Sequence, residues 1–495
     1  MSGAHRSDVT RGLRQHSGGS RTLGQVTVPG DEGVWAPARR LLTVGLVLMV
    51  TLVAFESLSV ATILPVVGRQ LGDLRLYGWV FSAFLLASLV GIAVAGSVAD
   101  RFALAWPMTA GLVLFAIGLA IGGSAPTMPV LVAGRVVQGL GAGVVPAVAY
   151  VAIGRDYPPA CRPRMFAVLS TAWVVPGLVG PAVAALVATT LGWRWVFLGL
   201  LPLVGAALVL AATNLRGSTR DPRRADPFNF AAVAGILVGA GVVLVSLSSG
   251  SLGWAVGGMV VGGVVLARSL RPLTPPHTLI AGRGLPATVL NRGLLTFCFF
   301  AGDAYVPYAL TTVRHAGTEV GALALSASTV MWTVGAWVQE RRIHRWGPRR
   351  LVRSGEVVIL AGLGLMTVVL WPAIPPAAGI GAWSLAGLGM GFAYSPLSVT
   401  ALDRSPRGGE GRTTAALQLT DVLGQALGTG AAGAAVASGV HGLGARPGVA
   451  LAFGLAGAVA FIAWLVGARL PPKLIVATPE GGSDLMSLPA PPAGA

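Results

Sequence analysis

Residues 135–143 read Arg135-Val136-Val137-Gln138-Gly139-Leu140-Gly141-Ala142-Gly143, and the glycine triplet returns 248 positions later (387 − 139) as Gly387-Leu388-Gly389-Met390-Gly391. The same offset joins Arg164 to Arg412. Asp100-Arg101, with Trp106-Pro107 downstream, is echoed at nearly that offset by Glu340-Arg341 with Trp346 and Pro348. The chain therefore contains a parallel internal repeat. Both glycine stretches lie inside long apolar runs, where small residues let membrane helices pack closely.

Outward from the repeat, the composition agrees. Of 495 residues, 54% are hydrophobic and 11% are charged, against roughly a quarter charged in soluble chains. A span needs about 20 apolar residues. Runs of that kind fall near 41–65, 77–99, 106–123, 128–153, 165–188 and 194–213, then near 229–247 and 253–267, then near 293–312, 320–338, 354–371, 377–402, 413–437 and 447–468. The expected fold is an all-α membrane protein with fourteen spans. Six helices with their loops need only about 180–200 residues, so the longer offset leaves room for the central pair. The expected organisation is a disordered tail over 1–36, a six-helix half over 37–213, a linker with two extra spans over 214–283, a six-helix half over 284–470 and a second tail over 471–495.

The net charge of +17 does not indicate nucleic acid. The basic residues are 34 Arg and the single Lys473, scattered in short clusters between apolar runs. They set topology instead. Arg39 and Arg40, Arg101, the group Arg155, Arg162 and Arg164, and the later clusters around 341–353 and 404–412 fall in alternate loops. Both termini are expected to be cytoplasmic, in the cell membrane. Cys161 and Cys298 are expected to be free thiols. The six histidines form no metal spacing, and no phosphate-binding loop or nucleophile–base pair is visible, so no metal, cofactor or enzymatic activity is expected.

Four stretches, the opening one among them, resemble one family. The first helix carries Phe55-Glu56-Ser57-Leu58-Ser59 and, nine positions after the acid, Pro65. The loop after the second reads Gly96-Ser97-Val98-Ala99-Asp100-Arg101, without the usual basic back half. The fourth holds Arg135 and Gln138-Gly139, and the fifth Pro176-Gly177-Leu178-Val179-Gly180-Pro181. Together these resemble the fourteen-helix drug:proton antiporter branch of the major facilitator superfamily. The resemblance implies two six-helix bundles that alternate access to a midplane site. It implies a cytoplasmic gate at Asp100 and Arg101, echoed by Glu340. It also implies an antiporter packing motif at Gly177, Gly180 and Pro181.

Ionisable groups at membrane depth are costly and usually mark ion or substrate paths. Glu56, Arg135, Asp303 and Asp421 are the candidates. Glu56 and Arg135 lie at similar depth, about 13 Å and 10 Å from the outer ends of their expected helices. They form either a proton switch or a structural staple. Asp303 is either a coupling acid or packing glue. Asp421 shares a helix face with Thr414, Gln418 and Gln425, facing a cavity or a partner helix. Gln138, Trp173, Tyr305, Tyr308 and Tyr394 are candidate cavity residues, with packing or lipid contact as the alternative. The expected function is proton-coupled efflux of small hydrophobic or cationic molecules by a monomer in the lipid bilayer. A proton-coupled importer is the alternative, and an intramembrane enzyme or sensor a distant one.

Overall fold

The computed structural model describes residues 33–37, 39–71, 79–215, 229–247, 252–406, 408–442 and 444–475. Residues 1–32 and 476–495 of the expected tails, residues 216–228 of the expected linker and the hairpin turn 248–251 lie outside the described residues. Helices run α1 (Arg40–Leu71), α2 (Trp79–Ala99), α3 (Ala105–Gly123), α4 (Met128–Asp156), α5 (Arg162–Thr171), α6 (Val174–Thr190), α7 (Arg194–Leu198) and α8 (Leu201–Asn214). They continue as α9 (Phe230–Leu247), α10 (Leu252–Leu270), α11 (Leu285–Asp303), α12 (Val306–Tyr308), α13 (Thr318–Val369), α14 (Ala378–Asp403), α15 (Glu410–Gly442) and α16 (Ala445–Gly467). No strand occurs among the described residues. Nine helical stretches among them are long and apolar enough to cross a membrane. One of these, α13, makes two passes. Three shorter apolar helices, Ala83–Ala99, Phe230–Ser246 and Val256–Leu270, and the more polar α15 stand where the remaining expected spans fall.

Several spans differ from their hydropathic limits. α1 continues to Leu71, past Pro65, and α11 starts at Leu285, eight residues before its apolar run. Hydropathy marks the hydrocarbon, whereas a helix continues into the interface as long as its backbone bonds are satisfied. The fifth crossing breaks between Thr171 and Val174, where α5 gives way to α6. Residues 339–353, expected as a loop, are helical apart from Gly347, whose φ of 75° turns the chain between the two passes of α13. Short stretches at the inner edges of the expected tails contact the helices. Val34 is buried, and its carbonyl accepts from Thr43 Oγ1 at 2.5 Å. Residues 471–475 cross the Arg-rich face, with Lys473 O accepting from Arg404 and Ile475 N donating to Asp403 Oδ2.

The glycine repeat shows its purpose in the packing. In α4, a Cβ at Gly139 or Gly143 would stand 2.3 Å from Phe84 O or 2.1 Å from Ser88 O of α2, and one at Gly141 would stand 2.3 Å from Gly111 O of α3. In α14, a Cβ at Gly387 or Gly391 would stand 2.2 Å from Ser328 O or Trp332 O of the first pass of α13, and one at Gly389 would stand 2.5 Å from Gly355 O of the second. One helix thus packs, backbone to backbone, on two neighbours in each half. One buried cluster gathers chiefly residues of 34–215, a second those of 287–470. The α9–α10 hairpin forms a third. Its Val233, Ile236, Ala240, Leu266 and Leu270 pack on Leu89 and Ile92 of α2 and on Leu419 and Leu423 of α15. Its other face leaves Phe230, Val245 and Trp254 exposed, as suits a peripheral element facing lipid.

Candidate functional site

α1 and α4 bring Glu56 and Arg135 into a fully buried ion pair, Arg135 Nη1 donating to Glu56 Oε1. α1 runs past its expected end to Leu71, so Glu56 lies about 22 Å from the observed end of the helix along its axis. The pairing forms nonetheless. The guanidinium has other partners. Its Nε donates to Val80 O at 3.0 Å, its Nη1 to Gln138 Oε1 at 2.7 Å, and it lies 4.1 Å from the centroid of the Phe84 ring. Arg135 is therefore held by α2 and by its own helix, independently of Glu56. A proton arriving on Glu56 would dissolve the pair without releasing the arginine.

The other half repeats this relation with different chemistry. Asp303 Oδ1 accepts from Trp383 Nε1 at 2.8 Å. Trp383 stands 248 positions after Arg135, and Asp303 falls one residue short of the same offset from Glu56. The acid on the half's first helix thus meets a donor on its fourth in both halves, cationic in one and neutral in the other. Asp421 has its own cluster. Arg292 Nη2 reaches Asp421 Oδ2 at 3.2 Å, and Tyr394 Oη donates to the same oxygen at 2.8 Å. Arg292 Nη1 also donates to Tyr394 O at 2.8 Å and Ser398 Oγ at 3.1 Å, and its guanidinium covers the Tyr394 ring at 3.1 Å. Arg292 escaped the sequence reading because the seventh span appeared to begin one residue after it.

At the Arg-rich end, Asp100 joins the two halves. Its Oδ1 and Oδ2 accept from the backbone N–H groups of Gly411 and Arg412 at 2.9 Å each, capping α15 across the interface. Arg155 Nη2 adds a contact to Oδ1 at 3.2 Å. Burial pushes the Asp100 carboxyl above its ordinary value, although the two N–H donors and Arg155 act in the opposite direction. Arg101 follows Asp100 in the same turn and is part-buried. Glu340 is helical in α13 and makes no ion pair among the described residues, so the structure does not bring it to this contact. The sequence pointed to the acid but not to the helix terminus that receives it.

The remaining candidates separate by position. Gln138 and Gln418 are buried, while Gln425, Tyr305 and Tyr308 are part-buried. Tyr305 Oη lies against Gly433 of α15. Trp173 sits at the break between α5 and α6 and is 43% exposed, apart from both ion-pair clusters. Gly177 and Gly180 face Thr329 and Phe55 at ordinary contact distances, so the interface near Gly177 joins α6 to α13 of the other half. Pro181 lies within α6.

Residues 46–429 match the family model described as Major Facilitator Superfamily. A probable multidrug-efflux transporter of Mycobacterium tuberculosis is 27% identical over 436 residues, which cover 84% of this chain and 91% of that one. The multidrug transporter protein MdtP of Bacillus subtilis is 23% identical over 382 residues, 74% of this chain and 69% of that one. Among solved structures, the human organic anion transporter MFSD10 aligns with a TM-score of 0.65 at 15% identity, over 87% of this chain and 99% of that one. The Escherichia coli proton:xylose symporter XylE aligns with a TM-score of 0.64 at 14% identity, over 88% and 97%. At such identities the solved structures speak for the fold alone.

Proposed function

We propose that this chain, which belongs to the Major Facilitator Superfamily, is a proton-coupled exporter of small hydrophobic or cationic organic molecules. It is a multi-pass secondary transporter and not an enzyme. The coupling ion, the direction and the substrate class are our reading. The observation that carries it is the sealed Glu56–Arg135 pair, in which the arginine is held from elsewhere and the carboxylate alone can change state. The relatives named as multidrug transporters support export of organic molecules. In this reading the halves 37–213 and 284–470 rock about a midplane site in the cell membrane, with both termini cytoplasmic and the hairpin of the 214–283 linker at the edge. Asp303 and Asp421 are the coupling acids of the second half, and Asp100 closes the cytoplasmic gate.

The test uses everted vesicles carrying the full chain, a panel of organic cations and a dye that reports the pH gradient. Wild-type protein should release protons when a transported compound is added. Glu56→Gln keeps shape and hydrogen bonding but carries no proton to exchange. It should abolish uphill accumulation while leaving substrate binding measurable. Accumulation by the variant at the wild-type rate would assign Glu56 a structural role, leaving Asp303 or Asp421 as the coupling acid. Substrate-driven proton movement in the opposite sense would make the protein an importer.

A further inference from the structure

The loop between α10 and α11 has no part in the transport reading above. α10 stops at Leu270, whose carbonyl accepts from the backbone N–H groups of Leu273 and Thr274. Pro275 and Pro276 follow, and neither continues a helix. His277 and Ala281 then take left-handed φ values of 67° and 54°, uncommon for residues with a Cβ. The turn they frame is fixed from behind. Arg412 of α15 donates to Pro272 O at 2.8 Å. Arg469, just past α16, donates to Ile280 O at 2.8 Å and to Ala281 O at 3.0 Å. Residues within 271–280 line a cavity of about 340 Å³. That lies at the small end of ligand pockets, which run from about 300 to 1,000 Å³.

The polar groups left to receive a ligand are few. Thr274 Oγ1 already donates to Leu270 O at 2.8 Å, and Thr278 Oγ1 to Pro275 O at 2.6 Å. Arg271 and His277 line the cavity, are exposed and tie their side chains to no other described residue. The guanidinium offers donors only, and the imidazole offers one more. The surroundings carry one sign. Arg268 and Arg283 are exposed on either side in sequence, Arg412 and Arg469 stand behind, and no Asp or Glu occurs between Asp226 and Asp303. Asp100, which reaches α15 beside Arg412, is turned to the backbone of that helix. An anion with several oxygens is the complement of such a site. The rest of the wall is largely apolar, with Leu279 and Ile280 37% and 68% exposed. The loop joins two spans and so lies where bilayer meets water. A soluble anion gains nothing from that apolar rim, whereas an anion carrying acyl chains covers it. We propose that this cavity binds the phosphate headgroup of an anionic phospholipid, with Arg271 and His277 on the phosphate and Leu279 and Ile280 against the glycerol and upper acyl chains. Because Arg412 and Arg469 hold the loop in place, little ordering opposes binding. Neither the coupling ion nor the direction of transport enters this inference.

Native mass spectrometry of the full chain, released from detergent micelles with added phosphatidylglycerol or phosphatidylcholine, tests the site. Wild-type protein should retain phosphatidylglycerol in preference. Arg271→Gln removes the charge and should weaken retention about tenfold, the worth of a hydrogen bond to a charged group. His277→Asn should weaken it as well, and asparagine tolerates the left-handed backbone there. Arg350→Gln removes an exposed arginine outside the cavity and should change nothing. Equal retention of the two lipids by wild type overturns the proposal, and that comparison needs no variant to fold. Undiminished retention by the double variant Arg271→Gln, His277→Asn overturns it too. An equal loss in Arg350→Gln would reduce the effect to general surface charge and overturn the site. Inorganic phosphate is the remaining arm. Displacement of phosphatidylglycerol by an equal concentration of inorganic phosphate would make the ligand a soluble anion and overturn the lipid.

Discussion

Arg292 and Asp421 illustrate what a single buried charge requires. The arginine is fully enclosed, and its Nη1 and Nη2 groups donate to Asp421, Tyr394 and Ser398. Removing one member of such a pair leaves the other without compensation and costs about 3–5 kcal/mol. Arg292→Ala should therefore lower the thermal midpoint of the purified protein sharply. Adding Asp421→Ala should restore much of the loss, because it removes the stranded charge. A double variant that loses the sum of the two single losses would show that the pair is not coupled. The sequence displayed only part of this cluster. Asp421 stood out as an acid in an apolar run, but Arg292 sat at the apparent edge of one, where an arginine reads as a topology marker. Trp383 was missed for a related reason. A tryptophan in a membrane helix carries no charge to attract notice. Partners more than 70 residues apart in sequence, such as Glu56 with Arg135 or Asp303 with Trp383, meet only through helix packing.

Helices α4 and α14 are the elements most legible before folding, because their glycines face backbone and backbone cannot yield. An alanine Cβ at Gly143 would stand 2.1 Å from Ser88 O, and one at Gly391 would stand 2.2 Å from Trp332 O. Neither oxygen can swing aside as a side chain would, so the neighbouring helix must move. Overpacking of this kind costs about 1–3 kcal/mol. Gly143→Ala and Gly391→Ala should each lower the thermal midpoint, and by similar amounts, since the repeat places them equivalently. Gly205→Ala in α8 is the control, because nothing stands within 4 Å of its Cβ position. There the loss of chain entropy on folding is smaller with alanine, and the change should be neutral or stabilising by up to about 1 kcal/mol. Equal losses at all three positions would remove the close-packing explanation. The breaks were less legible than the glycines. The turn at Gly347 and the interruption before Val174 arise from how consecutive segments seat against their neighbours, and hydropathy carries no record of that.

Across the whole molecule, many of the contacts that join the halves gather toward the Arg-rich end. Asp100 caps α15, Gly96 lies against Gly411 and Ala415, and Gly154 meets Leu402. The hairpin spans the same seam from outside, touching α2 and α15, the helices that Asp100 connects. Opening this end would carry Asp100 from a buried contact into water. In the closed arrangement, burial holds its carboxyl above the ordinary value of 3.8, and in water it would return to that value. The closed form therefore binds a proton more tightly than the open form. By linkage, acidification through the interval between the two values favours closure, and closure weakens as the pH rises through it. The opposite guess, that protonating the acid breaks the cap and opens the gate, neglects the cost of burying the charge. Spin labels on cysteines introduced at Phe102 and Pro406 would report the separation of the two loops in the full chain. The short-distance population should grow on acidification, and Asp100→Asn should make it independent of pH over the same interval. A wild-type distribution that lengthens on acidification would show that the hydrogen bonds to Gly411 and Arg412, rather than desolvation, govern the gate.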